Sequence, residues 1–345
     1  MGWARAHSRL HHRFVSNDSQ PLLAPSGGPC YSQRMTDAAA RGISSSRPAP
    51  KAAPKAPWQV WRDAGGRLSA LRIVALTGLC VPVALALHAF STTGFGARPL
   101  NDVIHRTGYW ALVFLMISLA ITPLRRIARF NQLVDVRRMI GVGAFVYAAA
   151  HISLYTADQM FDLWKVASEI VKRLYLTIGF VALLGLAALA ATSTDGVVRW
   201  LGNKRWQRLH MAIYGIGLLA LIHFFQQTKA DVWVPTFVAG LFGWMLGYRL
   251  LVRFRNRRDE PPTWMLLALS IALAMLTFLC EAIGIGLSFN VSPWMVLKTA
   301  FDFDPYSIRP GWLVLGAGLV VVAIDLVRAH MVPRRRPAAA RPKAA

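Results

Sequence analysis

The chain has 345 residues, of which 55% are apolar and only 16% are charged. Soluble domains carry about 25% charged residues, so an ordinary soluble enzyme is excluded at the outset. Lysine and arginine number 39 against 16 aspartates and glutamates, a formal net charge of +23. The basic residues gather in short segments between apolar runs, a pattern of membrane topology that leaves no role for nucleic acid as a partner.

Residues 1–57 contain no apolar run of more than a few residues and are rich in Ser, Pro, Ala and Arg. Such a segment cannot bury a core and reads as a disordered arm. No apolar stretch follows its arginines as a secretory signal requires, and Met35 is a second candidate start. Eight apolar segments follow, at roughly 71–89, 108–124, 140–157, 174–191, 210–226, 233–252, 264–287 and 311–329. About 20 residues rising about 1.5 Å each cross about 30 Å of hydrocarbon, and none of the segments alternates as a barrel strand does. The expected fold is all-α, a polytopic membrane bundle of about eight transmembrane helices.

The loops set the expected orientation. Arg125, Arg126, Arg129, Arg137 and Arg138 follow the second segment, and Arg199, Lys204, Arg205 and Arg208 follow the fourth. Arg253, Arg255, Arg257 and Arg258 follow the sixth, and Arg334, Arg335 and Arg336 lie in the tail. The intervening loops, 90–107, 158–173, 227–232 and 288–310, are nearly neutral. Positive loops face the cytoplasm, which puts both termini there, with anionic membrane lipid attracting the excess charge. The expected organisation is an arm (1–57), a six-helix transmembrane domain (58–255), two additional helices (256–332) and a basic tail (333–345).

Cys30, Cys80 and Cys280 are too few and too scattered for a disulfide framework or a zinc site, and the last two, inside apolar segments, read as buried inert thiols. An ionisable group inside a membrane is costly and is a functional candidate by default. Of nine histidines, His7, His11 and His12 belong to the arm and His330 to the tail, and none of these is assigned a role. His88 and His105 fall at the outer surface and read as interfacial polar residues. His151 in the third segment and His223 in the fifth fall at similar depth in the outer half, on segments running in the same direction. Two imidazoles facing each other in an apolar site suit the axial positions of a heme iron. Zinc is less suited, since no cysteine or carboxylate completes four ligands. The competing reading is a polar side chain hydrogen-bonded between helices.

His210 lies at the inner edge, 13 residues before His223, a rise of about 20 Å that suits a second redox centre. Thirteen residues turn through about 3.6 turns, so the two side chains share a face only if the helix is distorted, and Gly215 and Gly217 lie between them. Counting back from His151 to the inner edge reaches Arg138 and Arg137 rather than histidine; these read either as partners of a heme propionate or as positive-inside anchors. No phosphate-cradling loop, Walker sequence or acyl-transfer triad is present. Glu281, inside the seventh segment, reads as an interior hydrogen-bonding group or part of a proton path.

Several stretches resemble one family. They are Thr107-Gly108-Tyr109-Trp110-Ala111-Leu112, Ile121-Thr122-Pro123-Leu124-Arg125-Arg126, Arg137-Arg138-Met139-Ile140-Gly141, Tyr147-Ala148-Ala149-Ala150-His151, Lys172-Arg173-Leu174-Tyr175 and Thr192-Ser193. The strongest stretch combines Leu201-Gly202, Trp206, Arg208-Leu209-His210, Tyr214, His223 and Lys229. Together, over about residues 70–232, they resemble the MsrQ (YedZ) family, the heme-binding membrane subunits of the bacterial periplasmic methionine sulfoxide reductase system, within a wider ferric-reductase-like group. The resemblance implies one or two hemes b in the bacterial inner membrane, with the family's heme histidines falling on His151, His210 and His223. It implies electron delivery to a periplasmic molybdopterin-containing reductase that repairs oxidised methionine, a reversible lesion. The family is also associated with FMN and the quinone pool as electron sources, neither of which maps onto residues here. Two departures stand out: the family usually has six membrane helices, and it usually has proline between the residues matching Arg173 and Tyr175.

The function expected is an electron-transfer subunit fed by quinol or a flavin donor. A stand-alone transmembrane ferric or quinone reductase is the first alternative, and a transporter or non-redox membrane scaffold the second.

Overall fold

The computed structural model describes residues 61–62, 66–92, 98–228, 231–255, 260–301 and 307–331. The arm 1–57, the tail 333–345, Lys229, Arg257 and Arg258 lie outside the described residues. The described chain forms α1 (Ala70–Thr92), α2 (Pro99–Ile127), α3 (Val134–Asp158), α4 (Leu163–Lys172), α5 (Leu174–Ala191), α6 (Asp195–Leu201), α7 (Asn203–His210), α8 (Ile213–Gln227), α9 (Trp233–Phe254), α10 (Thr263–Phe289), α11 (Pro293–Ala300) and α12 (Pro310–Met331). Among the described residues there is no strand beyond an isolated bridge between Arg62 and Leu68.

Eight stretches of the described chain are long and apolar enough to cross a membrane: α1, α2, α3, α5, α7 and α8 taken together, α9, α10 and α12. All eight expected segments are therefore present, in an all-helical, multi-pass membrane protein. The remaining elements are short helices inside stretches that the sequence reads as loops. They are amphipathic and brief, so no apolar run marks them. α4 starts where the Asp162 carboxylate accepts from the Lys165 amide at 2.9 Å, and α6 where Thr194 accepts from the Val197 amide. α2 and α3 begin earlier than their apolar segments do, at Pro99 and Val134, because their first turns are polar.

α2 packs along α3, α5 along α8, and α10 along α12, with α9 touching α2 and α8 on one side and α10 and α12 on the other. Leu115, Leu119, Ala144 and Phe242 fill the centre, and Phe278, Ala274 and Val314 fill the seam of the added pair. Cys80 and Cys280 are exposed on the outside of the bundle, which corrects the expectation of buried thiols. An apolar surface facing lipid costs nothing to leave uncovered, so burial does not follow from apolar neighbours here.

The fifth span is distorted between His210 and His223, ahead of Gly215 and Gly217. The helix tightens directly after His210, where Ala212 bonds back to Leu209 and Tyr214 to Met211, three residues each, as in a 3₁₀ turn.

Several polar groups buried in the bundle have partners from a neighbouring helix. Pro123 sits inside α2 and has no amide hydrogen to give the carbonyl four residues back. That carbonyl belongs to Leu119, and Arg249 of α9 donates to it from Nη2 at 2.6 Å. Arg249 also bonds the Met245 carbonyl at 2.9 Å and lies over the Tyr214 ring. Tyr147 of α3 donates to the Leu79 carbonyl of α1 at 2.6 Å, tying the two helices together. In the added pair, Trp244 donates to Ser270 at 3.0 Å. Glu281 accepts from Arg309 at 3.1 Å across the α10–α12 seam, while its second oxygen is buried without a hydrogen-bond partner. At the arginine-rich end, Arg328 of α12 donates to the Ile127 carbonyl at 2.8 Å, which closes the last turn of α2. The same guanidinium pairs with Asp325 at 2.9 Å and Glu260 at 3.1 Å. Thr263 completes the set with a 2.6 Å bond to Asp325.

The Arg249–Leu119 contact yields a sharp test. Replacing Arg249 with Met leaves a carbonyl unsatisfied and is expected to destabilise the protein by about 1–3 kcal/mol. Adding Pro123→Ala restores an amide to that carbonyl, so the double variant is expected to regain most of the loss. Thermal unfolding of the four proteins in one detergent measures it, and simple additivity would contradict the pairing.

Candidate functional site

One large cavity of about 480 Å³ opens between α2, α3, α5 and α8, at the end of the bundle away from the arginine-rich loops. Its wall is mostly apolar, with Leu112, Leu115, Ala182 and Leu186 among the lining side chains, and its polar rim includes His105, Arg106, Gln227 and Thr228. His151 and His223 both line it, each within about two turns of the C-terminal end of its helix. The matched depth expected from the sequence is what the bundle shows.

The two rings face each other with centroids 6.5 Å apart and planes at 77°. An imidazole nitrogen bonds a transition metal at about 2.0–2.1 Å, so two rings on opposite sides of one ion have centroids about 6–6.5 Å apart. His151 Nδ1 lies 2.8 Å from the Ile104 carbonyl of α2, and His223 Nδ1 lies 2.7 Å from the Tyr175 carbonyl of α5. A carbonyl only accepts, so each Nδ1 carries the proton and each Nε2 keeps a free lone pair. This second contact fixes both tautomer and ring direction, as it does for metal-bound histidines generally. Tyr175 also stacks its ring on His223, at 6.3 Å and 26°.

Each imidazole rests on a glycine. A methyl group at Gly108 would come within 3.0 Å of the His151 ring, and one at Gly179 within 2.7 Å of His223. The helices thus approach closely enough for the ring to replace a side chain on the opposing face. Gly108 and Tyr175 fall within the stretches that carry the family resemblance and Gly179 and Ile104 do not, but nothing in the sequence marks any of them as the support of a ring. His105 lines the cavity as well, a closer position than an interfacial residue implies.

His210 stands apart. It ends α7, stacks on Trp206 at 3.9 Å, bonds the Trp206 carbonyl at 3.1 Å through Nδ1, and has Ser193 Oγ 3.3 Å from Nε2. Among the described residues no second imidazole faces it there. Arg137 and Arg138 lie in the first turn of α3, within electrostatic range of His210 and away from the cavity wall. Arg138 forms an ion pair with Asp195 that ties α3 to α6. Among the described residues no group of three or more His, Cys, Asp or Glu side chains could hold a metal ion. Outside the spans, Arg173 donates to the Tyr175 hydroxyl at 3.3 Å and pairs with Glu169 at 2.5 Å. The hydroxyl first, and the carboxylate second, hold its guanidinium above its usual pKa range.

The spans that set these two imidazoles across one cavity fall within a family match: the family described as "Ferric reductase like transmembrane component" matches residues 107–221. The "Protein-methionine-sulfoxide reductase heme-binding subunit MsrQ" of Xanthomonas campestris pv. campestris (strain 8004) is 46% identical over 164 residues, covering 47% of this chain and 75% of that protein. The protein of the same name from Xanthomonas oryzae pv. oryzae (strain MAFF 311018) is 44% identical over 173 residues, covering 48% of this chain and 79% of that one. That from Rhodospirillum rubrum is 39% identical over 189 residues, covering 54% and 91%. The chain belongs to the MsrQ family and is a multi-pass bacterial membrane protein. No solved structure matches it.

The glycine contacts give a graded expectation. Gly179→Ala forces a shift at His223 and is expected to weaken retention of a metal-bearing ligand about 10–100-fold, in the range seen when a ligand's supporting group is lost. Gly108→Ala, with a looser 3.0 Å approach, is expected to cost less. Ligand content per purified chain measures both, and wild-type content in Gly179→Ala would refute the tight seat.

Proposed function

We propose that this protein is a heme b electron-transfer subunit of the bacterial inner membrane. In this reading electrons come from the quinone pool or a flavin (FMN) donor and leave to a periplasmic molybdopterin-containing methionine sulfoxide reductase. The arginine-rich end, with both termini, faces the cytoplasm, and residues 58–255 carry the electron-transfer function. The observation that carries this is the His151–His223 pair, 6.5 Å apart across one cavity, with both Nδ1 atoms committed to backbone carbonyls.

The residues present fit a heme. The pair offers two opposed neutral nitrogen ligands, and the cavity of about 480 Å³ is mostly apolar with a polar rim that suits the carboxylate edge of a porphyrin. When bound, heme supplies a one-electron iron couple whose potential depends on axial ligands and burial. The chain's own part is to hold. Ile104 and Tyr175 orient the ligands, Gly108 and Gly179 give them room, and Leu112, Leu115 and Leu186 keep water away. His210 is proposed to serve a second centre at the arginine-rich end, with Arg137 and Arg138 supplying positive charge there.

A reduced-minus-oxidised spectrum with heme counted per chain is the direct test. His151→Ala and His223→Ala are each expected to abolish the heme of the cavity, whereas His210→Ala is expected to leave it intact. Equal heme in all three variants and the parent would sink the assignment. The ferric-reductase-like family match favours one further reading, a stand-alone ferric or quinone reductase. Reduction of a ferric chelate by the purified protein alone, with no periplasmic reductase present, would decide for it.

A further inference from the structure

The helix that joins α3 to α5 divides its surface into three. At 3.6 residues per turn, Val166 and Ile170 share one face, where Val166 is buried and Ile170 lines the cavity. Leu163, Trp164, Ala167 and Val171 form a second, apolar face, and all four are exposed, Trp164 at 85%. Lys165, Ser168, Glu169 and Lys172 form the third, polar face.

The turn leading into α4 extends the apolar face. Met160 and Phe161 both have left-handed backbones, with φ of 55° and 58°, a conformation that bulky residues avoid. Hydrogen bonds of 2.9 Å from their amides to Ala157 and Thr156 hold the turn. It projects both side chains outward, Met160 at 87% exposure. Among the described residues nothing covers these two side chains.

We infer that α4 and the Met160–Phe161 turn lie in the headgroup layer of the membrane leaflet opposite the arginine-rich end, with their exposed apolar face against lipid. The location argues for lipid as the occupant. α4 starts and ends beside two membrane spans, and its apolar face runs on into exposed Leu174 of α5. Its bundle, lipid and water faces follow one another round the helix as they must for a helix lying flat in the interface. A soluble protein arriving from water would meet the lysines first. Trp, Phe and Lys are the side chains that anchor at this depth. The anchored helix also braces the cavity, because Thr177 bonds the Ile170 carbonyl at 2.5 Å and Arg173 holds the Tyr175 hydroxyl.

The test needs no cofactor. In the full chain, with Cys30, Cys80 and Cys280 changed to Ser, single spin labels go at 161, 164, 171, 165 and 172 in lipid nanodiscs. Labels at 161, 164 and 171 are expected to collide with oxygen more than with a water-soluble nickel chelate, and those at 165 and 172 the reverse. Full nickel access at all five positions would overturn the inference. So would shielding of 161, 164 and 171 that arises only when a purified periplasmic methionine sulfoxide reductase is added, which would mark a protein-docking face. In the unlabelled chain, Trp164→Phe is expected to remove a shallow component of tryptophan quenching by brominated lipid. Unchanged quenching would count against the inference equally.

Discussion

Hydrocarbon offers a polar group no water, so each one inside a membrane protein must be satisfied by the protein itself. In this bundle that requirement also sets direction. His151 and His223 are held by the Ile104 and Tyr175 carbonyls, and the bond that satisfies one nitrogen aims the other. Arg249 answers the carbonyl that Pro123 leaves open. Asp325 meets Thr263 and Arg328. Satisfaction and orientation are one event at each place.

Close approach of helices supplies the rest of the site. Two glycines let α2 and α5 come near enough for a ring to occupy the space of a side chain. The same device recurs at the added pair, where Gly311 lies under the Phe278 ring. Tight packing is the main source of helix association in lipid, since burial of apolar surface gains little there. Under the proposed heme reading, a histidine pair held on helices packed this closely would suit electron transfer, which gains from little rearrangement between oxidation states.

The sequence made some of this legible and hid the rest, for physical reasons. Spans are one-dimensional objects, so a run of apolar residues reveals them, and all eight appear. The matched depth of His151 and His223 follows from a fixed rise per residue. What an imidazole rests on is different in kind: Gly108 and Gly179 matter only through a neighbouring helix, and nothing in their local sequence says which ring will face them. Arg249 belongs to the same class, because its partner lies 130 residues away in the chain. α4 escaped notice because ten amphipathic residues resemble a polar loop in a count of charges. The distortion after His210 precedes Gly215 and Gly217, so the glycines do not mark its place.

The network at the arginine-rich end has a practical consequence. Arg328 closes the last turn of α2, and Glu260 pairs with both Arg328 and Arg129. The two added helices are thus stitched into the older-looking body and do not merely follow it. Anyone trimming the chain after residue 255 to obtain a minimal version removes Arg328, the donor that finishes a helix end 201 residues upstream of it. Such a miniature has to be redesigned at that edge, with a new side chain reaching the Ile127 oxygen.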